Sequence, residues 1–299
     1  MKNELSDFLK VNDVKYLENE SFAKHSPINI GAEAECIVYP QSEKCFVNLL
    51  RFLQNNKIQY KILGRMSNIL PPDEKYEKVI VKTDLLNEFT IEGQSLVADC
   101  GTLLSSVCSR LSDIGCSGFE PLSGIPGSIG GAIVGNSGAF GREICELVEE
   151  VRVFDPGDGK VWRLSSDECR FDYRTSIFKK NKLVILSAKM STNASSKEAV
   201  KYAMREYQKI RRERQPVGEP SLGSTFKRPC KELYAAKLID DCGLRGMRFG
   251  GAKISEKHAG FIVNTGSATA KDYLSLGEYV KKQVLNKFSI NLEYEVEIL

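Results

Sequence analysis

Residues 120–141 read EPLSGIPGSIGGAIVGNSGAFG and contain seven glycines and two prolines. Glycine is entropically costly, so a chain keeps this many where the backbone takes a positive φ or approaches a partner closely. Small polar side chains stand between the glycines: Ser123, Ser128, Asn136 and Ser137. Exposed amides beside small hydroxyls can hold a phosphate or a flat heteroaromatic ring. A flexible linker is the alternative, but the spaced aliphatic residues favour a cofactor cradle.

The composition limits the class of protein. The 299 residues exceed the roughly 100–200 that one domain needs. A net charge of +3 does not by itself indicate a nucleic-acid or membrane partner. The sequence contains neither a signal-peptide pattern nor an apolar run of membrane-spanning length. We therefore expect a cytoplasmic protein of two domains or more that binds neither nucleic acid nor membrane.

The cysteine pattern argues against a metal site. The nine cysteines lie at least eight positions apart, and only His25 and His258 could supplement them. This scatter is typical of reduced thiols in a cytosolic protein. We expect no bound metal.

Hydrophobic periodicity predicts a mixed succession of strands and helices. Strands are predicted at 28–40, 58–63, 78–82, 88–91, 96–100, 147–154, 161–164, 183–189, 261–264 and 291–299. Helices are predicted at 42–56, 102–114, 196–214, 234–242 and 270–288. The pattern favours an α+β protein with a domain boundary near 190–196.

A second candidate ligand loop is the stretch Gly64-Arg-Met-Ser-Asn68, directly after a predicted strand. Loops in this position often bind ligands in α/β units, although such a turn is as often structural. Beside the glycine-rich stretch, it suggests a dinucleotide. The Rossmann pattern Gly-x-Gly-x-x-Gly with its acidic partner is absent, so the dinucleotide would be held in another way.

Polar residues that could act on a substrate lie further along the chain. Arg174 stands between aromatic residues and could fork onto a carboxylate or phosphate, or simply stack on Tyr173 at the surface. Ser224 lies in a loop bounded by prolines and lacks a hydrolase motif, so it suits a proton or hydrogen-bond donor. Positive charge around it could attract a diphosphate, although a solvated helix end near the C-terminal dipole is the favoured explanation of the cluster Arg211–Arg214 when it is taken alone.

These motifs together resemble the UDP-N-acetylenolpyruvoylglucosamine reductases, also called UDP-N-acetylmuramate dehydrogenases, from about residue 20 to the end. The motifs occur in the family's order: Gly64-x-x-Ser67-Asn68, Gly124–Gly131 with Asn136 and Gly138, Tyr173–Phe178, Gly223–Lys227, Lys257–Asn264 and Leu292–Val296. The spacing between Ala139 and Arg174 resembles the shorter subtype, which lacks the substrate-capping insertions.

The resemblance implies an FAD-binding domain of the vanillyl-alcohol-oxidase (PCMH) type in two subdomains, residues 1–75 and 76–192, and a C-terminal α+β substrate-binding domain, residues 193–299. It also implies non-covalent FAD and NADPH as co-substrate. The expected reaction of peptidoglycan synthesis reduces UDP-N-acetylglucosamine enolpyruvate. Hydride passes from flavin N5 to C3 of the enol ether, and a proton is added at C2. We expect a monomer.

The same resemblance implies roles for individual residues. Ser224 would donate the proton, Glu295 would assist, and Arg174 would hold the substrate carboxylate. Strand register decides whether Glu293 or Glu295 faces the flavin. The substrate would also meet Tyr173, Arg214, Lys227 and Arg228. The cofactor would be bound by Gly64, Arg65, Ser67, Asn68, Ser123, Gly124, Pro126, Gly127, Ser128, Gly130, Gly131, Asn136 and Gly138.

One residue departs from the family pattern. The family usually has glycine where this chain has Met66. If the position needs a positive φ, methionine costs on the order of 1 kcal/mol or more there. We therefore expect weaker FAD retention than in relatives that carry glycine.

Two other classes of function remain open at this stage. A flavin oxidase of the same fold, acting on an alcohol or phenol, would not need Ser224, Arg174 and Glu295 together. A non-catalytic protein that binds nucleotides or nucleic acid through Arg211–Arg214 would show no flavin colour and strongly salt-dependent polynucleotide binding.

Overall fold

The computed structural model describes residues 3–299, and the chain there forms two compact units. Unit 1 contains residues 3–18, Glu35–Arg65 and Glu77–Lys209. Unit 2 contains Asn19–Ala34, Met66–Tyr76 and Ile210–Leu299. The boundaries of these units differ from the predicted domain boundaries after residues 75 and 192. The assignment of residues 1–75, 76–192 and 193–299 to functional domains stays a prediction.

The helices within residues 3–299 are α1 Asn3–Val11, α2 Glu43–Asn55, α3 Leu104–Ile114, α4 Ile129–Val134, α5 Ile177–Lys180, α6 Lys197–Arg214, α7 Ala235–Asp241 and α8 Ala270–Phe288. The five helices predicted from periodicity are confirmed within two residues at each end. The sequence analysis missed α1 and the short helices α4 and α5. Among the described residues, no helix combines the length and the apolar character needed to cross a membrane.

The strands of the described chain are β1 Lys15–Ser21, β2 Glu33–Tyr39, β3 Tyr60–Leu63, β4 Ile69–Leu70, β5 Val79–Lys82, β6 Phe89–Glu92, β7 Ser95–Asp99, β8 Cys116–Ser117, β9 Gly138–Ala139, β10 Arg142–Glu143, β11 Val148–Phe154, β12 Val161–Ser165, β13 Val184–Ser191, β14 Asn193–Ala194, β15 Ser221–Ser224, β16 Arg248–Phe249, β17 Ala252–Ile254, β18 Phe261–Asn264 and β19 Glu297–Ile298.

Unit 1 contains a small parallel arrangement that delivers the first candidate ligand loop. Strand β5 pairs in parallel with both β2 and β3, so β5 lies between them. All of its residues are buried, which is typical of a central parallel strand. The carboxyl ends of β3 and β5 meet at one edge because Leu63 pairs with Lys82. Ligand loops of such sheets lie at this edge.

A second, antiparallel sheet completes unit 1. Its strand order is β12-β11-β13-β7-β6, and strand β13 is central. The main core of the unit includes Val151, Leu186 and Met190 from this sheet, together with Leu49 and Leu50 of α2. Ser42 caps α2 by accepting a hydrogen bond from the Cys45 amide, so the apolar side of that helix is fixed at its first turn.

Unit 2 is organised around an antiparallel sheet of order β15-β18-β17-β16 and the helix α8. Two distant segments join it through polar contacts. The Asn264 side chain donates to the Ile28 carbonyl at 2.9 Å. The Asp73 carboxylate accepts from the amides of Ala270 and Lys271 at 2.7 and 2.9 Å. A carboxylate at a helix N-terminus is favourable, and these contacts explain why residues 19–34 and 66–76 belong to this unit.

The strands predicted at 28–40 and 291–299 are shorter than expected. The first begins only at Glu33, because Gly31 takes a φ of +121° and the Ala32 amide donates to the Pro72 carbonyl. In the second, only Glu297–Ile298 forms a strand, paired in parallel with β4. An isolated antiparallel bridge between Tyr294 and Phe226 accounts for the residues before it.

We expect Tyr273→Phe to lower the free energy of unfolding by about 1 kcal/mol, the usual net value of a buried hydrogen bond. The Tyr273 hydroxyl lies 3.0 Å from Thr225 Oγ1 in the core of unit 2, and the side chain is fully buried. Urea unfolding monitored by circular dichroism measures the change. Tyr279→Phe, on the same helix but only half-buried, is the matched control. Equal effects of the two substitutions would contradict a role for the buried hydroxyl.

Candidate active site

The turn after β3 is held tightly in unit 1. A Cβ added to Gly64 would lie 2.5 Å from Ser128 Oγ, closer than a side chain tolerates. The Gly64 carbonyl accepts a hydrogen bond from Lys82 Nζ. Arg65, the next residue, is exposed, with Nη1 3.8 Å from Asp84 Oδ2. A side chain at position 64 would therefore displace the Ser128 hydroxyl of the glycine-rich segment.

Lys82 and Asp84 are polar residues of this edge that the sequence analysis did not single out. The Lys82 side chain is buried, and its Nζ lies 3.3 Å from Asp84 Oδ2. Burial lowers the pKa of the Lys82 ammonium, and the Asp84 carboxylate opposes that shift. The available signal was a lysine at the end of an otherwise apolar strand, where a charge is costly unless it is paired.

The glycine-rich segment forms a turn and a short helix rather than an open loop. Ser128 caps α4 by accepting from the Gly131 amide at 3.3 Å. The amides of Ile129 and Gly130 donate to the carbonyls of Thr102 and Cys100. These amides are already engaged within the protein, which differs from the cradle of exposed amides that the sequence suggested. A Cβ on Gly130 would lie 2.9 Å from Cys100, so this glycine serves packing.

Ser123 offers a buried donor that no described residue satisfies. Its side chain is only 6% exposed, yet its Oγ has no hydrogen-bond partner among residues 3–299. Buried hydroxyls are normally paired, so an orphan one at a glycine-lined segment fits a bound polar ligand. The neighbouring residues that are also predicted to bind the cofactor differ in exposure: Gly124 and Gly127 are half-buried, and Pro126 is exposed.

Arg174 lies against the far end of the glycine-rich segment. Its Nη1 and Nη2 donate to the carbonyls of Asn136 and Gly138 at 3.4 and 3.2 Å. Its guanidinium also lies 5.1 Å from the centre of the Tyr173 ring. The Asn136 side chain is buried and donates to Glu143 at 2.8 Å. The structure therefore brings Tyr173, Arg174, Asn136 and Gly138 together in unit 1.

Backbone strain accompanies this cluster. Arg174 and Asn136 take φ values of +55° and +41°, in the left-handed region that residues other than glycine rarely adopt. Phe140, at the tip of the hairpin between β9 and β10, has a φ of +52°. Strained residues persist where the surroundings hold them, and they concentrate at ligand and catalytic sites.

Unit 2 brings Ser224, Glu295 and Asn68 together. The Glu295 amide donates to the Thr225 carbonyl at 2.9 Å, and the Asn68 side chain donates to the Glu295 carbonyl at 2.9 Å. Ser224 precedes Thr225 and pairs with Phe261, while Gly223 before it takes a φ of +78°. The predicted proton donor and its assisting carboxylate thus belong to neighbouring paired segments. Ser67, beside Asn68, is half-buried.

The register separates the two candidate glutamates. Glu293 is exposed at 75% of its side chain and pairs with Lys227 at 3.1 Å, whereas Glu295 is half-buried. Arg228 stacks on Tyr234, with 4.3 Å between guanidinium carbon and ring centre. Arg214 is exposed at the end of α6. The cationic residues predicted for the substrate therefore have surface partners or solvent around them, and their role stays a prediction.

The histidines have structural surroundings. His258 Nδ1 accepts from the Gly260 amide at 3.2 Å. Burial, with Arg245 nearby, lowers the pKa of His258, which favours the neutral ring. His25 Nε2 lies 3.2 Å from Glu20 Oε1. Neither contact indicates a catalytic role.

Met66 is in the conformation that the glycine of the family pattern suggested. Its φ is +55°, and its side chain is only 3% exposed. A buried, unbranched side chain therefore occupies a left-handed position, which costs on the order of 1 kcal/mol.

Comparisons with known proteins agree with this architecture. Residues 34–165 match the family model described as FAD binding domain, and residues 215–299 match the C-terminal domain of UDP-N-acetylenolpyruvoylglucosamine reductase. A reductase of that name from Thermotoga sp. (strain RQ2) is 43% identical over 279 residues, 93% of this chain and 92% of the relative. One from Caldanaerobacter subterraneus is 40% identical over 297 residues, 99% and 97% of the two chains.

A solved structure gives the same result. The crystal structure of UDP-N-acetylenolpyruvylglucosamine reductase from Thermus caldophilus has a TM-score of 0.80 and 27% identity, and covers 95% of this chain and 98% of its own. The α+β fold, with an FAD-binding domain before a C-terminal domain, is confirmed.

The class is therefore that of FAD-binding oxidoreductases. At about 40% identity over nearly its full length, the chain belongs to the UDP-N-acetylenolpyruvoylglucosamine reductase family. The residues present fit FAD, because the buried hydroxyl of Ser123 has no partner among residues 3–299 and can donate to a bound cofactor.

We expect Met66→Gly to lower the dissociation constant for FAD about fivefold, the equivalent of about 1 kcal/mol. Glycine adopts the observed positive φ without strain, so the turn can take the shape that the family's glycine gives it. Titration of the FAD-free protein, followed by flavin fluorescence, measures the constant. Met204→Gly, a half-buried methionine of α6, controls for loss of a methionine side chain. An FAD affinity unchanged by Met66→Gly would contradict the expectation.

Proposed function

We propose that this protein is an NADPH-dependent flavoenzyme that reduces UDP-N-acetylglucosamine enolpyruvate to UDP-N-acetylmuramate in peptidoglycan synthesis. The observation that carries the proposal is the backbone pairing of the Ser224–Lys227 segment with residues 293–295, which brings the segments of Ser224 and the half-buried Glu295 next to each other. The relatives carry the reductase name, and their C-terminal domain model spans both residues.

Bound FAD would supply the hydride chemistry between NADPH and C3 of the enol ether. The chain's own task is to hold the reactants and control the proton. For the cofactor, we assign Gly64, Arg65, Ser67 and Asn68 of the first loop, and Ser123, Gly124, Pro126, Gly127, Ser128, Gly130, Gly131, Asn136 and Gly138 of the glycine-rich segment.

Ser224 donates the proton to C2 in this proposal. Gly223 turns the backbone through a φ of +78°, and the neighbouring Thr225 is anchored by its contact with Tyr273, so the hydroxyl is presented on a fixed backbone. A neutral hydroxyl acts as an acid only toward a basic, closely placed carbanion, which hydride addition at C3 generates. Glu295, held by the Thr225 and Asn68 contacts, assists that transfer.

Arg174 holds the substrate carboxylate and stabilises the enolate-like charge. Its guanidinium is oriented by the carbonyls of Asn136 and Gly138, so little reorganisation is needed when the negative charge develops. Tyr173, whose ring lies beside the guanidinium, completes this part of the site.

Lys227, Arg228 and Arg214 bind the diphosphate in this proposal. The Lys227 partner is the exposed Glu293, and an exposed ion pair contributes only about 0–1 kcal/mol. A diphosphate can therefore replace that partner at low cost. Arg228, stacked on Tyr234, presents a planar cation that suits phosphate.

The direct test is product analysis. The purified protein with FAD, NADPH and the enolpyruvyl sugar should oxidise NADPH and give UDP-N-acetylmuramate, identified by mass spectrometry. A rate of NADPH oxidation that does not change when the enolpyruvyl sugar is added, with no UDP-N-acetylmuramate formed, would refute the proposed function. Oxygen-driven oxidation of an alcohol without NADPH would indicate the flavin oxidase instead.

We expect Ser224→Ala to slow reoxidation of the flavin by the enolpyruvyl sugar by roughly 10²–10⁴-fold, the usual contribution of a positioned acid. Reduction by NADPH should stay nearly unchanged, because it needs no proton from Ser224. Anaerobic stopped-flow absorbance separates the two half-reactions. Ser221→Ala, on the same strand, is the control. Equal damage to both half-reactions would exclude Ser224 as the proton donor.

We expect Arg174→Lys to reduce flavin reoxidation by about 10²-fold, because a lysine keeps the charge but loses the planar fork that bridges two carbonyls and a carboxylate. The KM for the enolpyruvyl sugar should rise as well. Arg170→Lys, at another position with a positive φ, is the control. A wild-type rate with Arg174→Lys would show that the fork does not hold the substrate carboxylate.

A further inference from the structure

Unit 1 buries a charged pair that the proposed chemistry does not use. Lys82 ends strand β5 and is 1% exposed, and Asp84 follows two positions later with a side chain 20% exposed. Burying an ammonium is costly even when it is paired, and an apolar side chain of similar size would often be as stable. A charge retained here therefore calls for a role other than stability.

The contacts of Lys82 connect two loops at the ligand edge of the parallel sheet. Its Nζ donates to the carbonyl of Gly64 after β3 and lies 3.3 Å from Asp84 Oδ2 after β5. Arg65 Nη1 lies 3.8 Å from the same carboxylate oxygen. Lys82 thus holds the backbone of the Gly64–Arg65 turn, and its partner Asp84 lies close to the exposed Arg65 side chain.

The opposite side of the turn is fixed as well. Gly64 packs so closely that an added Cβ would lie 2.5 Å from Ser128 Oγ. The turn is therefore held between Lys82 on one side and the glycine-rich segment on the other. A loop held in one conformation before binding loses less entropy when a ligand arrives.

One carboxylate oxygen of Asp84 lacks a hydrogen-bond donor among the described residues, which points to a ligand. Asp84 Oδ1 is buried and has no hydrogen-bond partner among residues 3–299. Buried carboxylate oxygens normally accept hydrogen bonds, and leaving one unmade is expensive. A carboxylate repels phosphate and accepts from hydroxyl or N–H donors. The group that completes this oxygen therefore carries an O–H or N–H donor.

We propose that Lys82 is a positioning residue for FAD, which holds the Gly64–Arg65 turn through the Gly64 carbonyl, and that Asp84 Oδ1 accepts a hydrogen bond from a hydroxyl of the cofactor. The inference rests on the assignment of FAD as the cofactor. Lys82 acts through the turn and through Asp84.

The test is titration of the FAD-free full-length protein, with binding followed by quenching of flavin fluorescence. Lys82→Met removes the charge and the donor while keeping a long side chain, and we expect the FAD dissociation constant to rise about tenfold or more. Lys78→Met, an exposed lysine just before the same strand, should leave it unchanged. A wild-type FAD affinity with Lys82→Met would overturn the proposal.

A graded variant separates positioning from general stability. Lys82→Gln keeps an N–H donor for the Gly64 carbonyl without the charge, so its dissociation constant should lie between those of the wild type and Lys82→Met. The Tm of each FAD-free variant is measured in parallel. A lower Tm with FAD affinity unchanged in both variants would show a purely structural role and overturn the proposal.

If Lys82→Met does not fold, the FAD dissociation constant of Asp84→Asn tests the proposal instead. This substitution removes the partner charge of Lys82 and weakens the acceptor, so FAD binding should weaken severalfold, and a wild-type dissociation constant would refute the proposal. A wild-type protein that binds no FAD would contradict the cofactor assignment instead. If the wild type binds FAD and the variants bind it equally well, only the inference about Lys82 and Asp84 is contradicted.

Discussion

The candidate cofactor region of unit 1 depends on backbone segments that approach one another more closely than side chains allow. A Cβ on Gly101 would lie 1.7 Å from the Thr83 carbonyl oxygen, one on Gly64 2.5 Å from Ser128 Oγ, and one on Gly130 2.9 Å from Cys100. The ends of β3, β5 and β7 and the start of α4 meet through these glycines. The Gly64–Arg65 turn and the start of α4 take their positions from this packing, since a larger residue at Gly101 or Gly130 would push the segments apart.

Unit 2 relies on a different constraint, the antiparallel register around Phe226 and Tyr294. Their bridge, with ring centres 5.0 Å apart, fixes which residues of the two segments face each other. Glu293 and Glu295 lie two positions apart on an extended segment, so a register shift of two residues would put one in the place of the other. In the observed register, Glu293 pairs with Lys227 at the surface and Glu295 is half-buried beside the Ser224 segment. The proposed division of labour between carboxylates therefore follows from strand pairing rather than from the acidity of either group.

Much of this architecture is predictable from local signals, and the rest fails for identifiable reasons. Helix α8 was predicted residue for residue from its apolar stripe, and in the structure a capping box at Thr269 and Asp272 fixes its start. Helix α4 was missed because glycines fill its first turn, and glycine disfavours helix. Lys82 and Asp73 were missed because their partners, Gly64 and the amide of Ala270, become neighbours only in the folded chain. The motif residues of the site were predicted, whereas the contacts that hold them could not be.

The proposed function requires that this one protein take hydride from NADPH and deliver it to an enolpyruvyl sugar through bound FAD. Anaerobic double-mixing stopped-flow absorbance of the FAD-loaded protein tests it most directly. NADPH should bleach the flavin band, and UDP-N-acetylglucosamine enolpyruvate, added next, should restore it at a rate that permits turnover. Bleaching without recovery on addition of the sugar would contradict the claim.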